Sequence, residues 1–130
     1  MKGKSTPIII GIILLIILGL GYYLYRYAID SPYRISPQDA KELIKNNKLD
    51  VILDVRTDLE RKTLGYYPGS IHIQSSDLEK QMPQHFPNKQ TRILAYCNSG
   101  QRARSATEKL HKLGYNNSVY IATTYGSILL

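Results

Sequence analysis

The one cysteine of this 130-residue chain, Cys97, opens the segment Cys97-Asn98-Ser99-Gly100-Gln101-Arg102. Cysteine acts chemically as the thiolate, which is favoured where backbone N–H groups, a helix N-terminus or a cation face the sulfur. This segment offers all three. Thr91–Tyr96 reads as a buried strand that runs straight into Cys97, and Ala103–Leu113 reads as a helix that follows it. Arg102 adds a positive charge five residues on, and Arg104 adds a second. Gly100 lets the loop curl its N–H groups toward one point, a cradle for a thiolate, a persulfide or a bound anion. A lone cysteine is ordinarily a small buried hydrophobe. Its position between strand and helix, with Gly100 and Arg102, argues here for a reactive one. With no second cysteine an internal disulfide is excluded, and a Cys-based metal site lacks its usual partners.

The elements that would position this loop are legible as an alternation of strands and helices. Ser36-Pro37-Gln38-Asp39 is a helix start, with Ser36 as cap, Pro37 in the first turn and Asp39 at the positive end of the dipole. Ala40, Leu43 and Ile44 give that helix an apolar face, and Asn46-Asn47 ends it. Val51–Val55 has strand character, and Pro68-Gly69 turns the chain into a second short strand, Ser70–Ile73. Ser76 is the expected cap of a helix holding Leu78 and Met82, closed by Pro83. Ala106, Leu110 and Leu113 line one side of the helix after the loop. Gly114 suits its left-handed terminus, and Ser118–Ile121 supplies a last strand. The pattern predicts an α/β fold with a parallel sheet flanked by helices, occupying residues 31–130.

Residues 1–30 are of another kind. Ile8–Leu24 carries no charge and, with Pro7 and Tyr25, approaches the roughly 20 residues that cross a bilayer core. Ser5 or Thr6 is the expected cap and Pro7 the first-turn residue. Tyr22, Tyr23, Tyr25, Tyr27 and Tyr33 cluster at the far end, as aromatic residues do at a membrane interface. A single transmembrane anchor is the expectation. The alternative is export with cleavage, since Met1-Lys2-Gly3-Lys4 resembles a basic leader and Gly19-Leu20-Gly21 offers small residues. The apolar run continues past that point into the tyrosine belt, which favours the anchor. Lys2 and Lys4 on one side face Arg26, Arg34, Lys41 and Lys45 on the other, an asymmetry too small to assign a side.

The formal charge of +7 divides into +3 over residues 1–34 and +4 over residues 35–130, with acids interspersed and no run of five like charges. No basic stripe with interleaved aromatics appears, so no nucleic-acid partner is expected. His72 in a strand, His85 in a loop and His111 on the outer side of a helix match no ligand spacing, and no metal is expected.

Cys97-x-x-Gly100-x-Arg102 on a strand-loop-helix resembles the active loop of the rhodanese family, the thiosulfate sulfurtransferases. Leu53-Asp54-Val55-Arg56, with an acidic position at Glu60, resembles the family's Asp-Val-Arg segment. Tyr66–Ile71 resembles its Gly-His-Ile-Pro-Gly-Ala-Ile segment, and Leu113-Gly114-Tyr115 with Val119-Tyr120 its closing helix and strand. The likeness spans about residues 35–122 and is greatest to small single-domain members that are exported or membrane-tethered. The chain departs from the family at Tyr66 and Tyr67, which replace His-Ile, and at Ala122–Ser127, which replaces paired glycines and a tryptophan.

The resemblance implies a persulfide mechanism. Cys97 would take the outer sulfur of thiosulfate or a similar small anionic donor and pass it to cyanide or a thiol, with no cofactor. Arg102 would bind the donor, Asn98, Ser99, Gly100 and Gln101 would offer backbone N–H groups, and Asp54 and Arg56 would hold loop and sheet together as a charge pair. Two rivals remain. A non-catalytic rhodanese-like module binding a partner at the membrane ordinarily lacks the cysteine or the loop that this chain keeps. A Cys-dependent phosphatase or arsenate reductase typically has five residues between Cys and Arg, whereas four intervene here and Ala103 stands at that position.

Overall fold

The computed structural model describes residues 2–130; Met1, at the head of the basic leader-like segment, lies outside them. Strands β1 (Val51–Asp54), β2 (Ile71–His72), β3 (Ile93–Tyr96) and β4 (Ser118–Tyr120) form one sheet in the order β2-β1-β3-β4. Every pairing is parallel, so all four strands end on the same side. Helices α2 (Pro37–Lys45), α3 (Asp58–Leu64), α4 (Leu78–His85) and α5 (Gln101–Lys112) flank it. The expected α/β architecture is therefore present, preceded by one long helix, α1 (Lys2–Ile29).

Alternation along β3 divides the core. Ile93, Ala95 and Cys97 pack with Leu78, Met82, Ala106 and Leu110 on the α4–α5 side. Leu94 and Tyr96 pack with Ala40, Ile121 and Ile128 on the other. Successive strand residues point to opposite faces, so a strand covered on both sides must be apolar throughout. All four residues of β3 are fully buried. Ile93 and Leu94 each contribute about 1.5–3 kcal/mol through removal from water.

Local chemistry accounts for most element ends. Ser36 Oγ accepts from Asp39 N at 3.1 Å, capping α2 as its sequence requires. Gly114 follows α5 with φ +98. Other boundaries differ from expectation. Ser76 lies inside a 3₁₀ turn, Ser75–Asp77, rather than at a cap. Pro83 stands within α4, which continues to His85; Phe86 N donates to Met82 O and completes the last turn. Helix α5 begins at Gln101 rather than Ala103, so the loop proper is four residues, Cys97–Gly100.

Helix α1 also begins earlier than expected. It starts at Lys2, which puts Ser5 and Thr6 inside the helix and Pro7 in its second turn rather than its first. Its residues from Ile12 to Tyr27 are exposed, and burial begins only at Ala28 and Ile29. Gly3–Ile29 is long and apolar enough to cross a membrane by length and composition.

Candidate active site

The site lies beyond the carboxyl ends of β1 and β3, where parallel sheets characteristically bind ligands. Cys97 continues the inward alternation of β3 and is 1% exposed. The chain then turns sharply, and Gly100 N donates back to Cys97 Sγ at 3.1 Å. Gly100 makes the turn with φ +103, and a Cβ there would lie 2.8 Å from both the Cα and the Cβ of Ala122. Only glycine fits both the angle and the space. Ala122, which stands where the family pairs its glycines, is thus the floor of the loop. Ser99 is exposed at the crest and Gln101 is exposed at the start of α5.

Beneath the loop, Asp54 at the end of β1 is fully buried and Arg56 is 1% exposed. Arg56 Nε donates to Asp54 Oδ1 at 3.0 Å and Nη2 to Asp54 Oδ2 at 2.8 Å. Nη2 also reaches Gly65 O at 2.6 Å, and Nη1 reaches Asn98 Oδ1 at 3.3 Å. Arg61 Nη1 and the Tyr96 hydroxyl complete the coordination of Asp54 at 3.2 and 3.0 Å. Burial works to raise the Asp54 pKa, but the hydrogen bonds and charge of Arg56 overcome it and hold the carboxyl below its ordinary value. Burial raises the Tyr96 hydroxyl, keeping it a proton donor.

Helix α3 is not among the elements that the sequence pattern predicts, and it is the element that positions Glu60. Thr57 and Glu60 form a reciprocal capping box: Glu60 N donates to Thr57 Oγ1 and Thr57 N to Glu60 Oε1, both at 3.2 Å. Thr57-x-x-Glu60 carried that signature. The same carboxylate accepts Arg102 Nη1 and Nη2 at 2.6 and 2.7 Å and Asn98 Nδ2 at 2.7 Å. Chiefly because of Arg102, the Glu60 pKa is lowered to about 2. Arg102 is raised in turn, first by its bond to Glu60, with a smaller contribution from the charge of Cys97. The Asn98 side chain therefore bridges Arg56 and Glu60, and the loop is clamped to β1 and α3 from two sides.

Arg104 departs from expectation. Its contacts are with α5 and α1 rather than with the loop: Nε lies 3.1 Å from Glu108 Oε1, Nη1 3.3 Å from Ala28 O, and the guanidinium 4.9 Å over the Tyr27 ring. Helical periodicity explains this, because residues two apart in α5 face nearly opposite directions. Arg102 alone supplies a cation to the loop from that turn.

Tyr125, in a 3₁₀ turn at Tyr125–Ile128, covers the remaining side. Its ring lies 5.7 Å from the Arg56 guanidinium and 5.9 Å from the Tyr96 ring. A cleft of about 410 Å³ opens there, lined by Arg56, Leu64, Asn98, Thr124, Tyr125 and Leu129 among others. The sequence offered no pattern for this wall, since it forms from a segment unlike the family's.

The histidines serve the scaffold. His72 Nε2 lies 2.6 Å from Arg56 O. His111 stacks on Tyr33 at 3.6 Å with Nε2 2.9 Å from Ser118 O. His85 ends α4 rather than lying in a loop. Among the described residues no cluster of His, Cys, Asp and Glu could hold a metal ion.

Comparison with known proteins places this geometry. The model of the rhodanese-like domain matches residues 36–123. Adenylyltransferase and sulfurtransferase UBA4 of Candida albicans is 28% identical over 95 residues, 68% of this chain and 22% of that protein. Thiosulfate sulfurtransferase/rhodanese-like domain-containing protein 3 of Mus musculus is 28% identical over 103 residues, 71% of this chain and 65% of that protein. The chain thus spans less than two thirds of either relative. A solved structure from Rhodopseudomonas palustris, described as a protein of unknown function and possible tyrosine phosphatase, superposes with TM-score 0.67 at 26% identity, covering 80% of this chain and 84% of that one.

Proposed function

This chain belongs to the family of rhodanese-like domains, and from that membership we propose that it is a sulfurtransferase working through a persulfide on Cys97. The family and the two sulfurtransferase relatives support a sulfurtransferase-type role. The observation that carries the mechanism is Cys97 Sγ just beyond the carboxyl end of β3, accepting the Gly100 N–H at 3.1 Å in front of α5. That arrangement stabilises negative charge on sulfur without needing a metal.

In the first step the Cys97 thiolate attacks the outer sulfur of thiosulfate or a similar anionic sulfane donor. The new S–S bond forms as the bond to the sulfonate sulfur breaks, and sulfite leaves with the electron pair. In the second step cyanide or a thiolate attacks the outer persulfide sulfur, and Cys97 departs as thiolate. Arg102, already held by Glu60, turns its remaining N–H groups and charge toward the donor. Asn98, Ser99, Gly100 and Gln101 line the cradle. Asp54 and Arg56 act from below as positioning residues rather than on the substrate.

We assign α1 as a single-pass membrane anchor, on its length and its exposed apolar surface. A phosphatase would require a wider loop, and only four residues separate Cys97 from Arg102. The test is turnover of thiosulfate and cyanide to thiocyanate by the purified chain in detergent. Cys97→Ser should abolish it, and Arg102→Ala should raise KM for the donor more than it lowers kcat. A folded wild type no faster than Cys97→Ser with any sulfane donor would overturn the assignment, and hydrolysis of an aryl phosphate would replace it with the phosphatase.

A further inference from the structure

Helix α1 joins the domain at the end of the sheet that carries the reactive loop. Tyr120, the last residue of β4, donates its hydroxyl to Ile29 O. Arg104, one turn into α5 from Gly100, holds Ala28 O and the Tyr27 ring. Arg26 shares a cleft with Ala122 and Thr123, and Ala122 is the floor of the loop. Arg104 stands four positions after Gly100, and Ala28 four positions after Leu24, the end of the apolar run. Each interval is about 6 Å along its helix, and the Arg104 side chain joins them, so a path of roughly 20 Å at most links the loop to the end of that run.

The exposed apolar side chains supply a second, independent observation. Among the described residues outside α1 the large ones are Leu59, Leu64, Tyr66, Ile71, Leu129 and Leu130. Leu59 and Leu64 belong to α3, which follows the carboxyl end of β1. Leu64 and Leu129 line the cleft that Asn98 enters from the reactive loop. Soluble surfaces bury such groups or scatter them singly, and the sharing of one cleft by exposed Leu64 and Leu129 marks a contact surface. In the cleft beside Ala122, Arg26 and Arg34 against Asp30 leave one net positive charge, the sign that anionic headgroups attract.

We propose that the carboxyl end of the sheet rests on the bilayer that α1 enters, with Leu64 and Leu129 in the headgroup layer and the Cys97 loop opening onto the lipid surface. The proposal rests on the assignment of α1 as an anchor. On this proposal the contacts of Arg104 and Tyr120 with the end of α1 hold the loop toward the lipid surface.

The chain has no tryptophan, which makes single-tryptophan depth measurement direct. Leu64→Trp and Leu129→Trp report on the cleft rim, Leu14→Trp on the anchor, and Lys48→Trp on the opposite end, beside the start of β1. Each full-length variant is reconstituted into phosphatidylcholine–phosphatidylglycerol vesicles with brominated acyl chains, and folding is checked by circular dichroism. The proposal predicts strong quenching at Leu14→Trp and, at both rim positions, about threefold more than at Lys48→Trp, as for groups a few ångströms into the interface. Quenching at Leu14→Trp with both rim positions no higher than Lys48→Trp overturns the docking and leaves the anchor standing. An unquenched Leu14→Trp overturns the anchor and the docking with it.

Discussion

Replacing Arg56 by methionine removes the side chain on which the site's construction depends most. The substitution keeps an unbranched apolar stem but removes the guanidinium, deleting two bonds to Asp54, one to Gly65 O and one to Asn98 Oδ1. Asp54 remains fully buried with a carboxylate served only by Arg61 at 3.2 Å, the Tyr96 hydroxyl at 3.0 Å and one backbone N–H at 3.0 Å. Breaking a buried pair costs about 3–5 kcal/mol, and the surviving Arg61 contact sets the expectation near 3 kcal/mol. For a domain of about a hundred residues that lowers Tm by roughly 12–24 °C. Because Arg56 holds the Asp54 pKa down, the stability it provides is present above the unfolded carboxyl value of about 4 and fades as pH falls below it. In Arg56→Met burial is no longer overcome, so Asp54 protonates more readily and the deficit should narrow as pH drops through that range. Thermal melts of both proteins in detergent, followed by tyrosine near-ultraviolet circular dichroism between pH 7 and 3, test this. A loss below about 1 kcal/mol, within the range of an ordinary exposed pair, or a deficit that widens in acid, would refute the argument.

Further outcomes follow from the same geometry. Glu60→Gln should cost about 1 kcal/mol at neutral pH, the scale of a half-exposed bidentate pair, measured by denaturant titration. The wild-type contribution should disappear between about pH 4.5 and 2, since the Glu60 pKa is lowered to about 2. Gly100→Ala should lose nearly all sulfur-transfer activity in a steady-state assay, because its Cβ meets Ala122 at 2.8 Å at φ +103. Arg104→Ala should leave the Cys97 loop intact but loosen the joint with α1, read as faster tryptic cleavage at Arg26 and Arg34 with kcat unchanged in detergent.

The sheet was legible because its signal is local. Buried parallel strands write themselves as short apolar runs, as Val51–Asp54 and Ile93–Tyr96 do. The reactive loop was legible because strand, Cys97, Gly100 and Arg102 adjoin in sequence. Helix α3 escaped because its seven residues lack an apolar stripe and none is buried; its one sign was the pairing of Thr57 with Glu60. What Glu60 clamps could not be read at all, since Asn98 and Arg102 lie 38 and 42 residues away. Arg104 was misread for the opposite reason. Proximity to Cys97 in sequence suggested proximity in space, but a helix turns alternate residues apart. The Tyr125 wall depends on packing across Arg56 and Tyr96, which no periodicity encodes.

The central claim is that Cys97 carries sulfur, and intact mass spectrometry tests it most directly. After treatment with thiosulfate and removal of excess reagent, the folded wild type should gain one sulfur atom, lost again on addition of cyanide, and Cys97→Ser should gain none. A folded wild type that gains no sulfur, or a Cys97→Ser variant that gains as much, would contradict the account.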